Sequence, residues 1–202
     1  MNFHPAISRG IQDLGFTEPT PIQRDSIPPA LDGRDVLACA MTGSGKTAAF
    51  VLPILQHMAG TQSGRTRALI ITPTRELASQ IHEHIEALAR HTPVRSATVF
   101  GGVKPGKQEK ALRAGVDIVV ATPGRLLDLM RNPWASFEHL EFLVLDEADR
   151  MLDMGFLPDV RRILAQLPTK RQTLLFSATL PGPIVKLSKD LLKDPVRIDV
   201  ER

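Results

Sequence analysis

Short apolar or β-branched runs recur along the whole chain, and helical patterns fill most of the gaps between them. Seven such runs stand at residues 36–39, 68–72, 96–100, 117–121, 141–145, 172–176 and 196–200. The clearest helix is predicted over 74–90, where Leu77, Ile81, Ile85 and Leu88 fall on one face. Others are predicted over 46–58, 107–113, 126–131, 159–166 and 184–192, and Pro53 is expected to kink or shorten the first of these. Strand alternating with helix predicts an α/β fold: a mostly parallel sheet of about seven strands with helices on both faces. Several runs are apolar throughout, as burial on two sides requires. Ligands of such sheets bind at the carboxyl ends of the strands. The residues just past the end of each run therefore carry the most functional weight.

Composition sets the outer limits. The 202 residues are 43% hydrophobic and 23% charged, enough for a full core in one domain, 1–202. No apolar run reaches the roughly 18 residues of a membrane span, and the start Met-Asn-Phe-His-Pro-Ala lacks a secretory pattern, so no membrane partner is expected. The single cysteine, Cys39, excludes an internal disulfide and predicts a reducing, cytoplasmic setting. Lys and Arg number 25 against 22 Asp and Glu, a net charge of +3 without any basic block. With eight Phe, one Trp and no Tyr, a surface that stacks many bases is not expected. Nucleic acid would have to be held by phosphate and sugar.

After run 36–39 comes Ala40-Met41-Thr42-Gly43-Ser44-Gly45-Lys46-Thr47. Gly43 and Gly45 let the backbone curl so that N–H groups face a phosphate, Lys46 can reach the outer phosphates, and the Thr47 hydroxyl can ligate Mg²⁺. The general P-loop pattern has Gly where this chain has Ala40. After run 141–145 comes Asp146-Glu147-Ala148-Asp149. A carboxylate at a strand end can hold a nucleotide-bound Mg²⁺, the part given to Asp146, and a second can deprotonate water, the part given to Glu147.

Two further strand ends, Pro73-Thr74-Arg75 and Thr122-Pro123-Gly124-Arg125, each combine a capping Thr, a Pro suited to the first helical position and an Arg in the first helical turn. The helix dipole disfavours a cation there. Arg75 and Arg125 should therefore meet an anion, either a neighbouring carboxylate or a row of phosphates. Spacing leaves both open. Gly101-Gly102 would let a nucleic-acid strand approach the main chain. Ser177 and Thr179 end run 172–176 with hydroxyls that can bond Asp149 or simply cap a turn. His82-Glu83-His84 lacks zinc-protease spacing and reads as solvated helix surface.

Taken in order, these motifs resemble those of DEAD-box ATP-dependent RNA helicases. The match covers essentially the whole chain, as the N-terminal of two RecA-like domains, with an overall likeness to the bacterial RhlE-like branch. The family's own P-loop has Ala first, as here. The resemblance implies a RecA-like P-loop NTPase fold and ATP with Mg²⁺ as cofactors. It implies that Gly15-Phe16-Thr17-Glu18-Pro19-Thr20-Pro21-Ile22-Gln23 recognises adenine, with Gln23 on its edge and Phe16 stacked on the ring. Thr42, Gly43, Ser44, Gly45, Lys46 and Thr47 would serve the phosphates and metal. Asp146 would serve the metal and Glu147 the water. Asp149, Ser177 and Thr179 would couple nucleotide state to closure. Pro73, Thr74, Arg75, Gly102, Thr122 and Arg125 would grip the RNA backbone. The second RecA-like domain, with its arginine fingers, is expected outside this chain, so the chain alone should turn over ATP barely. Two other classes remain open at this point: a DNA-directed P-loop ATPase, and a single-domain module that binds RNA or a partner without catalysis.

Overall fold

The strands form where the apolar runs predict them: β1 (Val36–Cys39), β2 (Ala68–Ile71), β3 (Ser96–Val99), β4 (Ile118–Ala121), β5 (Phe142–Leu145), β6 (Gln172–Ser177) and β7 (Val196–Asp199). The structure, a computed structural model, describes residues 1–41, 43, 45–61 and 63–200. All seven strands join one sheet in the order β3-β4-β2-β5-β6-β1-β7. Every pairing is parallel, so the sheet is more uniform than the mostly parallel one expected. Strands β2, β4 and β5 are buried at every position, which is why their sequences carry no polar alternation.

Side chains alternate between two cores. Ile70, Val120 and Val144 point to one face, and pack with α1 (Pro5–Asp13), α2 (Pro21–Leu31), α3 (Lys46–Met58) and α4 (Arg75–Leu88). Leu69, Ile71, Val119, Leu143 and Leu145 point to the other. There they meet α5 (Gly106–Ala114), α6 (Pro123–Leu129), α7 (Ala148–Asp153), α8 (Leu157–Leu164) and α9 (Gly182–Leu191). Each fully buried aliphatic side chain contributes about 1.5–3 kcal/mol, so the two layers hold the strand ends in place. Among the described residues, no helix is long and apolar enough to cross a membrane.

Three helices, α1, α2 and α7, are not expected from periodicity. Pro28 and Pro29 lie inside α2 and mask it in the sequence. The expected shortening at Pro53 does not occur, and α3 spans Lys46–Met58 with Pro53 buried within it. Helix α6 begins three residues ahead of expectation because Pro123 takes its first position.

The strand order sets up the site. β1 and β5 are separated by one strand, β6, while the chain leaving β1 must cross the sheet to reach β2. Such a divergence opens a crevice at the carboxyl rim.

Candidate functional site

At that rim the glycine loop and the acidic run converge. Gly43 and Gly45 have φ of 82° and 84°, in the left-handed region open to glycine. Gly45 caps α3, and a Cβ there would lie 2.7 Å from Gln23 Nε2 and 2.8 Å from Thr20 Oγ1. Lys46 opens the helix with its side chain only 8% exposed, and its Nζ lies 3.1 Å from both Asp146 Oδ1 and Glu147 Oε1. The lysine and the carboxylate pair, 100 residues apart in sequence, are thus brought together as expected. Thr47 lies next to it on the first turn of α3. Thr42 and Ser44 lie outside the described residues.

The two carboxylates sit in different surroundings. Burial pushes the Asp146 carboxyl up from its ordinary range, against the opposing pull of Lys46. Its Oδ2 accepts a long contact from Thr72 Oγ1 at 3.4 Å. Its Oδ1, though near the ammonium, is buried without an aligned hydrogen bond. Glu147 holds Lys46 with Oε1 and Arg150 Nη1, at 3.3 Å, with Oε2. Its backbone is left-handed, φ 53° and ψ 51°, a conformation that costs a non-glycine residue on the order of 1–3 kcal/mol. No group of three or more His, Cys, Asp or Glu among the described residues is arranged to hold a metal alone. A hard divalent cation that keeps most of its water needs only one or two protein oxygens. Asp146, whose Oδ1 has an ion-pair contact but no aligned hydrogen bond, and Thr47 are the oxygen ligands of that type here.

Next to them, Asp149 Oδ2 accepts from the Thr179 backbone N–H at 3.0 Å and from Thr179 Oγ1 at 2.9 Å, and Oδ1 accepts from Arg150 N–H at 3.0 Å. Ser177 Oγ accepts from Asp149 N–H at 3.0 Å and donates to Thr179 O at 2.7 Å. Of the two alternatives left open, Thr179 bonds the carboxylate while Ser177 bonds the backbone around it. Burial raises the Asp149 carboxyl, but these donors together outweigh it and hold it below its ordinary range.

Gln23 lies in the first turn of α2. Its Oε1 accepts from Thr20 N–H and its Nε2 donates to Gly45 O, each at 3.0 Å. A carboxamide keeps one further donor hydrogen and one lone pair. Phe16, 41% exposed, lines a cleft of about 330 Å³ with Gln23, Ile27 and Phe3.

The arginine loops occupy the same rim at the ends of β2, β3 and β4. Thr74 caps α4, accepting from Leu77 N–H at 3.2 Å, while Pro73 stands ahead of the cap. Thr122 precedes Pro123 at the first position of α6 but makes no side-chain cap bond. Each loop thus realises half of the cap-and-proline expectation. The Arg75 guanidinium lies 5.5 Å from the Phe100 ring centroid, a cation–π contact. Gly102 has φ 83°, and a Cβ there would stand 3.0 Å from Arg75 Nη1, which explains the glycine. Arg125 donates from Nη1 to Gln108 Oε1 at 3.1 Å and from Nη2 to Val103 O at 2.9 Å. Among the described residues neither arginine pairs with a carboxylate. Gln108 is not singled out by the sequence. Its only signal is the i,i+4 spacing to Leu112, which shares its buried face. His82 is tied to Ser96 Oγ at 2.9 Å and to Glu86 at 2.7 Å, so it fastens α4 to β3 rather than lying on a free surface.

Comparison with known proteins shows the family. Residues 20–187 match the DEAD/DEAH box helicase family. Among curated relatives, ATP-dependent RNA helicase SrmB of Escherichia coli is 49% identical over 197 residues, covering 96% of this chain and 44% of the relative. DEAD-box ATP-dependent RNA helicase 30 of Arabidopsis thaliana is 48% identical over 200 residues, covering 97% of this chain and 34% of the relative. DEAD-box ATP-dependent RNA helicase RhpA of Helicobacter pylori is 45% identical over 195 residues, covering 96% and 39%. The chain therefore spans less than half the length of these relatives.

Proposed function

The chain belongs to the DEAD/DEAH box helicase family, and on that premise we propose that it is the ATP-binding, RNA-gripping domain of an ATP-dependent RNA helicase. The observation that carries this reading is a single rim that bears a lysine–carboxylate cluster at one end and, at the other, two arginines without carboxylate partners among the described residues. The first end suits a triphosphate and the second a row of phosphates.

Gln23 and Phe16 receive adenine, with the remaining donor and acceptor of the carboxamide turned to the base edge. Asp146 and Thr47 would hold Mg²⁺, which when bound supplies charge neutralisation to the phosphates. Lys46 Nζ contacts Asp146 and Glu147 together, one ammonium shared by two carboxylates. A triphosphate draws that ammonium away. Glu147 Oε1 is then released to accept a proton from the attacking water, while Arg150 keeps Oε2 oriented. Asp149, Ser177 and Thr179 relay the change, because Ser177 O also accepts from Ala40 N–H at the root of the glycine loop. A second RecA-like domain completes the reaction in the full-length protein. A trans-acting arginine is worth about 10³–10⁵ in rate, so this chain alone hydrolyses ATP barely. Closure of the two domains on ATP and RNA strips the duplex locally, and hydrolysis reopens them. The single cysteine fits a cytoplasmic setting.

The test is a titration of adenine and guanine nucleotides against wild type and Gln23→Ala. Loss of adenine preference supports the assignment, and an unchanged preference removes it. In the full-length protein, Glu147→Gln is expected to abolish RNA-stimulated hydrolysis while nucleotide still binds. Retained hydrolysis would overturn the role given to Glu147.

A further inference from the structure

We infer that Gln108 is a positioning residue of the RNA grip: it holds Arg125, and through Phe100 the seat of Arg75, in the pose that meets phosphate. The inference rests on the reading of those two arginines as phosphate contacts.

Gln108 belongs to none of the strand-end motifs. It lies on α5, a helix whose buried residues are only Gln108 and Leu112, and it is 6% exposed. A carboxamide removed from water costs free energy unless both of its ends are bonded. Here both are. Nε2 donates to Phe100 O at 2.9 Å, and Oε1 accepts from Arg125 Nη1 at 3.1 Å.

The first bond fixes Phe100. That residue lies just past β3, the terminal strand of the sheet, so no further strand is there to pair with its carbonyl. Gln108 supplies the missing donor. With the backbone of Phe100 fixed, its ring faces the Arg75 guanidinium at 5.5 Å. The second bond fixes Arg125 together with Val103 O, which takes Nη2 at 2.9 Å. A guanidinium has five N–H donors. Two are used on the protein side, which leaves others for a ligand.

The chemical type of the holder matters. Both acceptors on Arg125 are neutral. They orient the cation without cancelling its charge. A carboxylate at 108 would grip Arg125 more firmly and neutralise it, which is the pairing that phosphate must otherwise displace. A neutral amide positions the guanidinium in advance, so less rotamer freedom is lost when the backbone of RNA arrives.

The experiment uses the full-length protein and measures affinity for a single-stranded RNA oligonucleotide across a salt series, together with affinity for ADP. The variants are Gln108→Leu, Gln108→Glu, Arg125→Ala and the double variant Gln108→Leu with Arg125→Ala. Gln108→Leu is expected to weaken RNA binding roughly five- to tenfold with ADP affinity unchanged. In the Arg125→Ala background its effect should be clearly smaller than in wild type, the remainder being what passes through Phe100 to Arg75. Gln108→Glu keeps an acceptor for Arg125 and guards against a folding defect in the leucine variant. It should weaken RNA binding and reduce the slope of log affinity against log salt by about one. Additive effects in the double variant, unchanged RNA affinity in Gln108→Leu and Gln108→Glu, or an equal loss of ADP affinity would each overturn the inference. If Arg125→Ala alone leaves RNA affinity intact, the phosphate reading of the grip fails first, and that single variant reveals it separately.

Discussion

The two rims of this sheet use the same residue types in opposite ways. At the amino-end rim, buried acids are fully bonded. Asp35 accepts from Thr173 N–H at 2.9 Å and Lys193 N–H at 2.7 Å. Asp117 takes Arg67 Nη2 at 2.8 Å and Arg95 N–H at 2.9 Å. At the carboxyl-end rim, Asp146 is as deeply buried, yet its Oδ1 lacks an aligned bond. The arginines differ in the same way. Arg67 faces a carboxylate, whereas Arg75 and Arg125 face a ring, an amide and a carbonyl. Buried nitrogens without a partner occur at the amino end too, at Arg67 Nε and Arg171 Nε, so the rims differ in charge pairing: Arg67 is neutralised by a carboxylate within the fold, while on the proposed reading Arg75 and Arg125 keep their charge for a ligand.

The contrast can be broken most directly at Asp117. Asp117→Ala strands the buried Arg67 charge and should lower unfolding free energy by about 3–5 kcal/mol, read from urea denaturation. A loss under about 1 kcal/mol, the worth of an exposed pair, would erase the distinction between the rims. Asp146→Asn is the mirror case. Stability should change by less than about 1 kcal/mol, because removing a costly buried charge offsets the lost attraction to Lys46. ATP turnover of the full-length protein should fall on the order of a hundredfold or more, the scale for losing a group that stabilises developing charge. A large loss of stability with retained turnover would reverse the assignment. A smaller effect is expected at Arg125, where alanine should weaken RNA affinity about tenfold, one charge-assisted hydrogen bond, and lower unfolding free energy by about 1–3 kcal/mol because the buried Gln108 Oε1 loses its donor.

The smallest effect sharpens the comparison through pH. The Asp149 carboxyl is held below its ordinary range in the folded chain. Its contribution to stability is therefore present above the unfolded carboxyl value of about 3.9. It is lost as pH falls through the lower folded value. Unfolding curves of wild type and Asp149→Asn should differ by a constant amount above about pH 5. That difference should shrink as the solution is acidified below the unfolded value. A difference that grows on acidification would contradict the hydrogen-bonded geometry at Thr179.

Much of this is legible in the sequence, for physical reasons that differ by element. Strands β2, β4 and β5 stand out as unbroken apolar runs because neighbours and two helical layers bury them entirely. The chemical residues are legible because strand ends in a parallel sheet share one rim. Helix α2 is hidden because Pro28 and Pro29 contradict the local helical signal, which tertiary packing of Ile22 and Ile27 overrides. The partners of Arg75 and Arg125 are undecidable from sequence, since a carboxylate or a phosphate satisfies the dipole argument equally. Gln108 is nearly invisible there because its burial exists only once α5 packs beside β3, and its i,i+4 spacing to Leu112 is too weak a local mark to single it out. The left-handed Glu147 is equally beyond pattern, since its strain is imposed by where β5 ends and α7 begins.

The tether from Gln23 Nε2 to Gly45 O has a consequence for how ligands are told apart. On the proposed reading, one amide would touch both the base and the carbonyl that ends the phosphate cradle. Identity at the heterocycle and posture at the triphosphate would then be parts of one latch. An ill-fitting purine would disturb the far end of its own ligand, with no relay through the rest of the molecule.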